Sequence, residues 1–193
     1  MLQAGLSQKA MQDEIDALRA EVAALKLRAE RAEALADHDV LTPVFNRRGF
    51  IANALQRMAY CRRYAVDTVM LYLDLDGFKS LNDTLGHPAG DAALIYLAEK
   101  LIHHVRESDA IGRMGGDEFA VLLMNADLEA GKEKARILSE NLKTDPFMWQ
   151  GQPYPLSASI GVRMMADHKD PEAWVAEADA SMWLRKAHSR VER

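Results

Sequence analysis

The run Thr68-Val69-Met70-Leu71-Tyr72-Leu73-Asp74-Leu75-Asp76 limits the fold more than any other stretch of the chain. No charge interrupts it before Asp74, and it does not alternate between apolar and polar positions. Such a run reads as a central strand covered on both faces, which requires packing layers above and below. It ends in Asp-Leu-Asp, and the two-residue period of a strand puts Asp74 and Asp76 on one side. Two carboxylates at the end of a core strand are costly unless a metal or another cation neutralises them. Solvation at the strand end is the alternative, and metal binding is the preferred reading.

A second constraint lies downstream in Arg113-Met114-Gly115-Gly116-Asp117-Glu118-Phe119. Asp109 to Arg113 reads as a short extended segment, and Phe119 to Met124 as another. Two such runs joined by Gly-Gly predict a β-hairpin with a tight turn. The glycines allow a backbone or ligand to come close, and Asp117 and Glu118 place negative charge at the tip of a stiff element. That suits a hard divalent cation carrying phosphates, although a polar turn with no ligand fits these residues equally well.

Around these two features the chain reads as helices and loops. Residues 37–46 form a joint, with Pro43 marking a turn, and a helix follows from about Arg47 to Tyr60. The turn Gly77 to Lys79 offers backbone N–H groups to phosphate, with Lys79 adding charge. Asn82 and Asp91 can pair with a base edge, or can serve as cap and turn residues. Helices are expected from about Ala89 to Val105, from Leu128 to Asn141 and from Pro171 to about Arg190. A loop-rich interval at 145–155 and a strand at 156–162 lie between the last two. On the final helix Lys186 and Arg190 share a face, which suits a polyanion or ordinary solvation.

Residues 1–36 are a separate block, expected to be a coiled-coil dimerisation helix, with 37–193 as the globular domain. Ile15 and Val22 at heptad position a put Leu18 and Leu25 at d, and the register extends to Met11, Ala29 and Ala32. In a parallel pair the facing charges are Glu14 with Arg19, Glu21 with Lys26 and Arg28 with Glu33, all opposite in sign. A parallel homodimer is expected, against the alternative of a lone solvated helix.

Composition narrows the function classes. The 193 residues carry a formal charge of −5, which argues against a nucleic-acid binder, and one cysteine, Cys61, so no internal disulfide. The adjacent His103 and His104 point to different sides of a helix and read as surface residues. No apolar run approaches membrane-spanning length and no signal-peptide pattern is present, so a soluble cytoplasmic protein is expected, with no membrane partner.

Taken together, Gly115-Gly116-Asp117-Glu118-Phe119 resembles the signature of GGDEF-domain diguanylate cyclases, which make cyclic di-GMP from two GTP and release two pyrophosphates. Asp74-Leu-Asp-Gly-Phe-Lys79-Ser-Leu-Asn82-Asp83-Thr-Leu-Gly86-His87-Pro-Ala-Gly90-Asp91 resembles the family's upstream motif almost throughout. Leu41-Thr42, Asn46-Arg47-Arg48, Ser159-Ile160-Gly161-Val162 and Ala178-Asp179 follow in the family's order, so the likeness covers about 37–193. It implies an α+β fold: a ferredoxin-like, nucleotidyl-cyclase-like palm with a central antiparallel sheet flanked by helices, preceded by the coiled-coil helix. It also implies Mg²⁺, or Mn²⁺ in its place, as two ions per GTP. The ligands implied are Asp74, the Leu75 carbonyl, Asp117 and Glu118, with Glu118 alternatively helping to deprotonate the 3′-hydroxyl. Asp74, Asp117 and Glu118 are the implied catalytic set.

The same resemblance makes Asn82 and Asp91 the guanine readers. Phe78, Lys79, Gly115 and Gly116 become substrate contacts, and Lys186 and Arg190 grip the terminal phosphate. Arg106-Glu107-Ser108-Asp109 falls where many members carry an inhibitory Arg-x-x-Asp site, so Arg106 and Asp109 are expected to bind the product. An arginine can stack on a base, and a carboxylate can accept from guanine. The C-terminal motif departs from the family at Trp183, Ser189 and Val191, and Met114 stands where an aromatic is common. Each subunit would hold one GTP, so two must face each other, tethered by the coiled coil, where a regulatory protein partner would also act. The alternative is a catalytically inactive receptor of cyclic di-GMP or GTP that signals through the coiled coil. Receptors of that kind usually have eroded signatures, and this one is intact.

Overall fold

The computed structural model describes residues 11–12, 14–15, 17–26, 28, 36–166 and 168–191, the last five of them by backbone alone. The chain divides into two units, Met1–Ala36 and Asp37–Arg193. In the first, the described residues between 11 and 28 are helical and form α1. Met11, Ile15, Leu18, Val22 and Leu25 are all exposed there, between 38% and 63%, so the single chain leaves its heptad stripe uncovered. Ala29, Ala32 and Glu33, which complete the expected register and its third charge pair, lie outside the described residues.

The second unit runs β1 (Phe45–Asn46), α2 (Arg47–Tyr64), β2 (Thr68–Leu75), α3 (Phe78–Leu85), α4 (His87–His104), β3 (Ala110–Arg113) and β4 (Glu118–Met124). It continues with α5 (Leu128–Thr144), β5 (Phe147–Trp149), β6 (Gln152–Tyr154), β7 (Ala158–Met164) and α6 (Pro171–Val191). Two helix starts follow from local chemistry. Asn46 Oδ1 accepts from Gly49 N at 2.9 Å and Asp127 Oδ1 from Ala130 N at 2.8 Å, so a short polar side chain caps α2 and α5 in turn.

Five strands form one sheet in the order β1-β3-β4-β2-β7. β2 pairs antiparallel with both β4 and β7, and all eight of its residues are buried, as expected for a strand covered on both faces. The sheet is nevertheless mixed rather than antiparallel, because the two-residue β1 pairs parallel with β3. The joint brings Phe45 alongside Gly112 just before α2 begins, and that short connection sets the parallel sense.

Side chains of β2 alternate between two cores. Val69, Leu71, Leu73 and Leu75 pack with Leu94, Leu97 and Leu101 of α4 and Leu138 and Leu142 of α5. Met70 and Tyr72 face the other way, onto Phe50 and Met58 of α2 and Trp174, Ala178 and Met182 of α6. The helices therefore lie in two layers, one on each sheet face.

Two elements differ from the sequence reading. Phe78–Leu85, expected as a turn and loop, is the helix α3, whose Phe78 and Leu81 reach the first core. Residues 147–154, expected as loop, form the β5–β6 hairpin, closed by Gln150 and Gly151 in left-handed conformations at φ 49° and 79°. Its Pro153 obscures the strand pattern, yet proline is tolerated in an isolated two-strand ribbon, where one edge is free.

Close packing seats α6. A Cβ on Gly161 of β7 would lie 2.2 Å from the Ala178 carbonyl oxygen and 2.5 Å from Met182 N, both backbone atoms that cannot swing away. Gly161→Ala is therefore expected to destabilise the fold by about 1–3 kcal/mol through overpacking. The check is a urea titration in which the midpoint falls at unchanged slope. A midpoint equal to that of the unsubstituted chain would refute this account of the contact.

Candidate active site

The end of β2 and the start of β4 bring the first carboxylates together. Asp74 and Glu118 are paired residues in the β2–β4 ladder, and Leu75 N donates to the Asp117 carbonyl at 3.2 Å. Since Asp74 occupies an even position with Met70 and Tyr72, it faces α6. There the Lys186 ammonium forms an ion pair with Asp74 Oδ1. Asp74 is 9% exposed, and a charge at that depth needs such a partner.

Three further carboxyls crowd the pair. Burial pushes Asp117 up, and the Asp74 charge adds to it, with Lys186 and Arg113 acting the other way. Burial also pushes Glu118 up; the Tyr72 hydroxyl, by donating to it, opposes this, while Asp179, Asp74 and Asp117 reinforce it. Asp179 on α6 is raised by burial and by Asp74, and its Oδ1 is buried with no hydrogen-bond partner. Burial and the charges of Glu118 and Asp179 likewise raise Tyr72.

Four carboxyls thus share one pole of the sheet, where Lys186 pairs with Asp74 and Arg113 acts on Asp117. Among the described residues no three His, Cys, Asp or Glu side chains already converge on a single point as a metal cage. The donor chemistry still fits Mg²⁺: hard oxygens only, with an excess of negative charge that burial makes unfavourable. Asp76 does not join the cluster. Its carboxylate accepts from Ser157 Oγ at 3.1 Å and Ser159 Oγ at 2.7 Å, so the two serines at the start of β7 satisfy it where the sequence reading paired it with Asp74.

The signature hairpin has a different geometry from the tight glycine turn expected. Met114 N and Gly115 N both donate to the Glu118 carbonyl, at 2.8 and 3.4 Å, and neither Gly115 nor Gly116 has a positive φ. The glycines serve space instead. A Cβ on Gly115 would come within 2.6 Å of Glu118 Oε2, and one on Gly116 would meet nothing within 4 Å. The loop is held from behind by Arg113, which donates to the Gly116 carbonyl from Nη2 at 2.8 Å and to Asp39 Oδ1 from Nη1 at 3.1 Å. Asp39 also accepts from Thr42 N and Oγ1, both at 2.8 Å. Burial opposes its ionisation, but the Thr42 and Arg113 bonds outweigh that and hold it below the usual carboxylate range.

Beyond β2, Gly77 adopts φ 73° and opens α3, whose first turn has no side-chain cap, leaving its N–H groups free of one. Phe78 is half-buried against the core and Lys79 is exposed. Asn82 on α3 abuts Gly90 on α4, where a Cβ would lie 1.9 Å from Asn82 Oδ1, and that oxygen is buried without a partner. Asp91, next in sequence, is exposed. Asn82 thus presents a buried acceptor without a partner among the described residues, and Asp91 nearby presents an exposed carboxylate.

Not every expected site residue reaches this pole. Arg106 is exposed and its N–H donates to Asp109 Oδ2 at 2.8 Å, while Asp109 Oδ1 accepts from Met124 N at 2.9 Å. Asp109 therefore pegs its own turn to β4, with each of its oxygens already accepting one backbone bond. The Arg190 side chain lies outside the described residues.

Tyr72, Asp179, Asp39 and Arg113 were missed as site residues. Two had a readable signal. Tyr72 is two residues before Asp74 on one strand, and Asp179 is two helical turns before Lys186 on one face.

The raised carboxyls fix a pH dependence. Each binds its proton more tightly in the folded chain than in the unfolded one. Their contribution to stability is complete below the ordinary carboxylate value and is lost as pH rises through the raised folded value. Asp179→Asn removes one crowded charge. In metal-free buffer it is expected to melt above the unsubstituted protein at neutral pH, with the gap closing on acidification. Thermal melts across pH 4–8 test this; a gap that stays constant would overturn the like-charge explanation.

A family profile described as "Diguanylate cyclase, GGDEF domain" matches residues 36–192. Diguanylate cyclase TpbB of Pseudomonas aeruginosa is 35% identical over 162 residues, 82% of this chain and 37% of TpbB, so the chain spans little more than a third of that relative. A sensory box/GGDEF family protein from Caulobacter crescentus superposes with a TM-score of 0.74 at 32% identity, covering 79% of this chain and 99% of the other. The coiled coil and GGDEF domain of Caulobacter crescentus DgcB, solved with c-di-GMP, shares the fold at a TM-score of 0.78 and 22% identity, covering 92% and 95%. With the profile spanning nearly the whole globular unit, and the motif carboxylates gathered at one pole of its sheet, the chain belongs to the GGDEF-domain diguanylate cyclase family.

Proposed function

We propose that this chain condenses two GTP into cyclic di-GMP, releasing two pyrophosphates, and that it acts as a homodimer. The observation that carries this reading is the placement of Asp74, Asp117 and Glu118 at adjoining strand ends, beside the open face of Gly116. The buried, unpartnered acceptor of Asn82 supports guanine as the base. Asn82 and Asp91 read its edge, the first turn of α3 with Phe78 and Lys79 faces the phosphates, and Lys186 with Arg190 supplies cations for the terminal phosphate.

Asp74, the Leu75 carbonyl, Asp117 and Glu118 would hold Mg²⁺, or Mn²⁺, as two ions per GTP. When bound, the metal neutralises phosphate charge and favours the attacking alkoxide. The 3′-oxygen of one GTP forms a bond to the α-phosphorus of the other, and the bond from that phosphorus to the β-phosphate oxygen breaks, so pyrophosphate leaves. Glu118, whose proton affinity burial raises, in its ionised form takes the 3′-hydroxyl proton. Repeating the step with the roles exchanged closes the ring.

One chain offers one such site, so the reaction requires two copies facing each other. The uncovered stripe of α1, with its opposite-sign flanking charges, suits a parallel coiled coil that raises the effective concentration of the two sites. The same helix is the natural point of action for a regulatory protein partner. Among the described residues no helix is long and apolar enough to cross a membrane, and the cytoplasm, where GTP is supplied, is the location proposed.

Purified protein given GTP and Mg²⁺ is expected to form cyclic di-GMP, with Asp117→Ala lower by about a hundredfold or more. Removal of residues 1–36 should reduce the rate most at dilute protein. Product no higher than in the Asp117→Ala control would sink the enzyme reading, and cyclic di-GMP or GTP binding without turnover would favour a receptor instead.

Product control is proposed at Arg106 and Asp109. The exposed Arg106 guanidinium is available for a base and a phosphate, while Asp109 keeps the turn in place. Arg106→Ala should weaken inhibition by added cyclic di-GMP and leave the initial rate nearly unchanged. Inhibition curves that coincide with those of the unsubstituted enzyme would remove the site from the argument.

A further inference from the structure

A cleft of about 720 Å³ lies along the free edge of β7, between α5 on one side and the end of α6 on the other. Its volume is that of a small-molecule site. One end is lined by Gly77 and Lys186, which belong to the phosphate end of the candidate active site. The other end leads away from it to Lys132, Arg136 and Lys143 on α5, with Arg185 on α6 also lining the cleft. We propose that this cleft is a second anion seat that receives the pyrophosphate leaving group and conducts it out past α5. The choice of pyrophosphate rests on the condensation proposed above; the anion seat itself rests on the lining.

The charge pattern points to a polyanion. Five cationic side chains line a cleft in a chain whose formal charge is −5, and one of them, Lys186, is already paired with Asp74. Two carboxylates are also present, but both are engaged. Asp76 accepts from two serine hydroxyls, and Glu140 is paired with Arg136 at 2.5 Å. Lys132 is held by Glu129 at 2.6 Å, and Arg136 by Glu133 as well, in exposed pairs along the helix that are cheap to break. Lys143 stands in the last turn of α5 and forms no ion pair among the described residues. The cleft wall includes Ser157 to Ile160, and β7 is an edge strand whose outer side pairs with no other strand among the described residues.

Geometry separates this seat from the substrate position. Asp74, Asp117, Glu118, Asn82 and Asp91 do not line the cleft. A nucleoside triphosphate held through its base by Asn82 would meet the cleft at its Gly77 and Lys186 end. Once the bond to the α-phosphorus is broken, the released pyrophosphate is free to shift from Lys186 toward Lys132, Arg136 and Lys143. Its transfer would remove a multiply charged product from carboxyls that are already crowded.

Titration calorimetry of inorganic pyrophosphate into the full chain in EDTA tests the seat directly. Without divalent metal the carboxylate pole repels the anion, which isolates the cleft. The double variant Lys132→Ala/Lys143→Ala, both exposed side chains, is expected to bind pyrophosphate about tenfold more weakly. Its affinity for a non-hydrolysable GTP analogue with Mg²⁺ should stay within about twofold of the parent value. Unchanged pyrophosphate binding would overturn the proposal, as would a parallel loss of analogue affinity, which would make the cleft part of the triphosphate position. Thermal melts confirm that the variant is folded. The binding readout does not depend on turnover: Lys143-dependent binding without cyclic di-GMP synthesis would defeat the function above and leave this anion seat standing.

Discussion

The structure turns on one electrostatic problem: a carboxylate placed at the end of a strand that is buried on both faces. Asp74 is largely shielded from solvent, since α4 and α5 cover one face of the sheet and α2 and α6 the other. It is held by the Lys186 ammonium, and that ion pair is available only because α6 packs directly on β7 at Gly161. Burial makes the attraction strong and also makes any unpaired charge expensive. Asp117, Glu118 and Asp179 are then forced into the same field, where like charges raise all three. A fold that assembles this arrangement and remains stable is prepared for positive charge from outside, which is the chemical basis of the metal and triphosphate reading.

A second feature links the joint to the signature loop. Arg113 lies in β3, yet its guanidinium spans from the Gly116 carbonyl to Asp39, and Asp39 in turn binds the Thr42 amide and hydroxyl. The segment that precedes the globular unit's first strand is therefore tied, through one arginine, to the loop that presents Asp117. Charge-assisted bonds of this kind hold position well because Asp39 stays ionised at its partly buried site. The position of the loop consequently depends on residues far away in sequence.

Several sequence expectations stand in the structure and others needed it. The uninterrupted run at 68–75 did specify a doubly covered strand, and the segments flanking Gly115 and Gly116 did form a hairpin. The helix at 78–85 was hidden by its length and by glycines at both ends, which read as loop until the core contacts of Phe78 and Leu81 are seen. The parallel pairing of β1 was likewise illegible, because two residues carry no periodicity. At the site, Asp76 looked equivalent to Asp74 in the strand pattern. It is instead satisfied by Ser157 and Ser159, whose distance from it in sequence is more than 80 residues.

What the amino-acid order determined by itself was local: which stretches are apolar, where backbone turns, which carboxylates and amides stand at fixed spacings, and hence the family. Those properties depend on neighbours within a few residues, where the periods of helix and strand apply. Which charges meet was decided only by the tertiary structure. Lys186 lies 112 positions from Asp74, and Arg113 lies 74 from Asp39. Close packing across the sheet selects those partners, and at partly buried positions the energy of a charge depends mainly on what lies within a few ångströms of it.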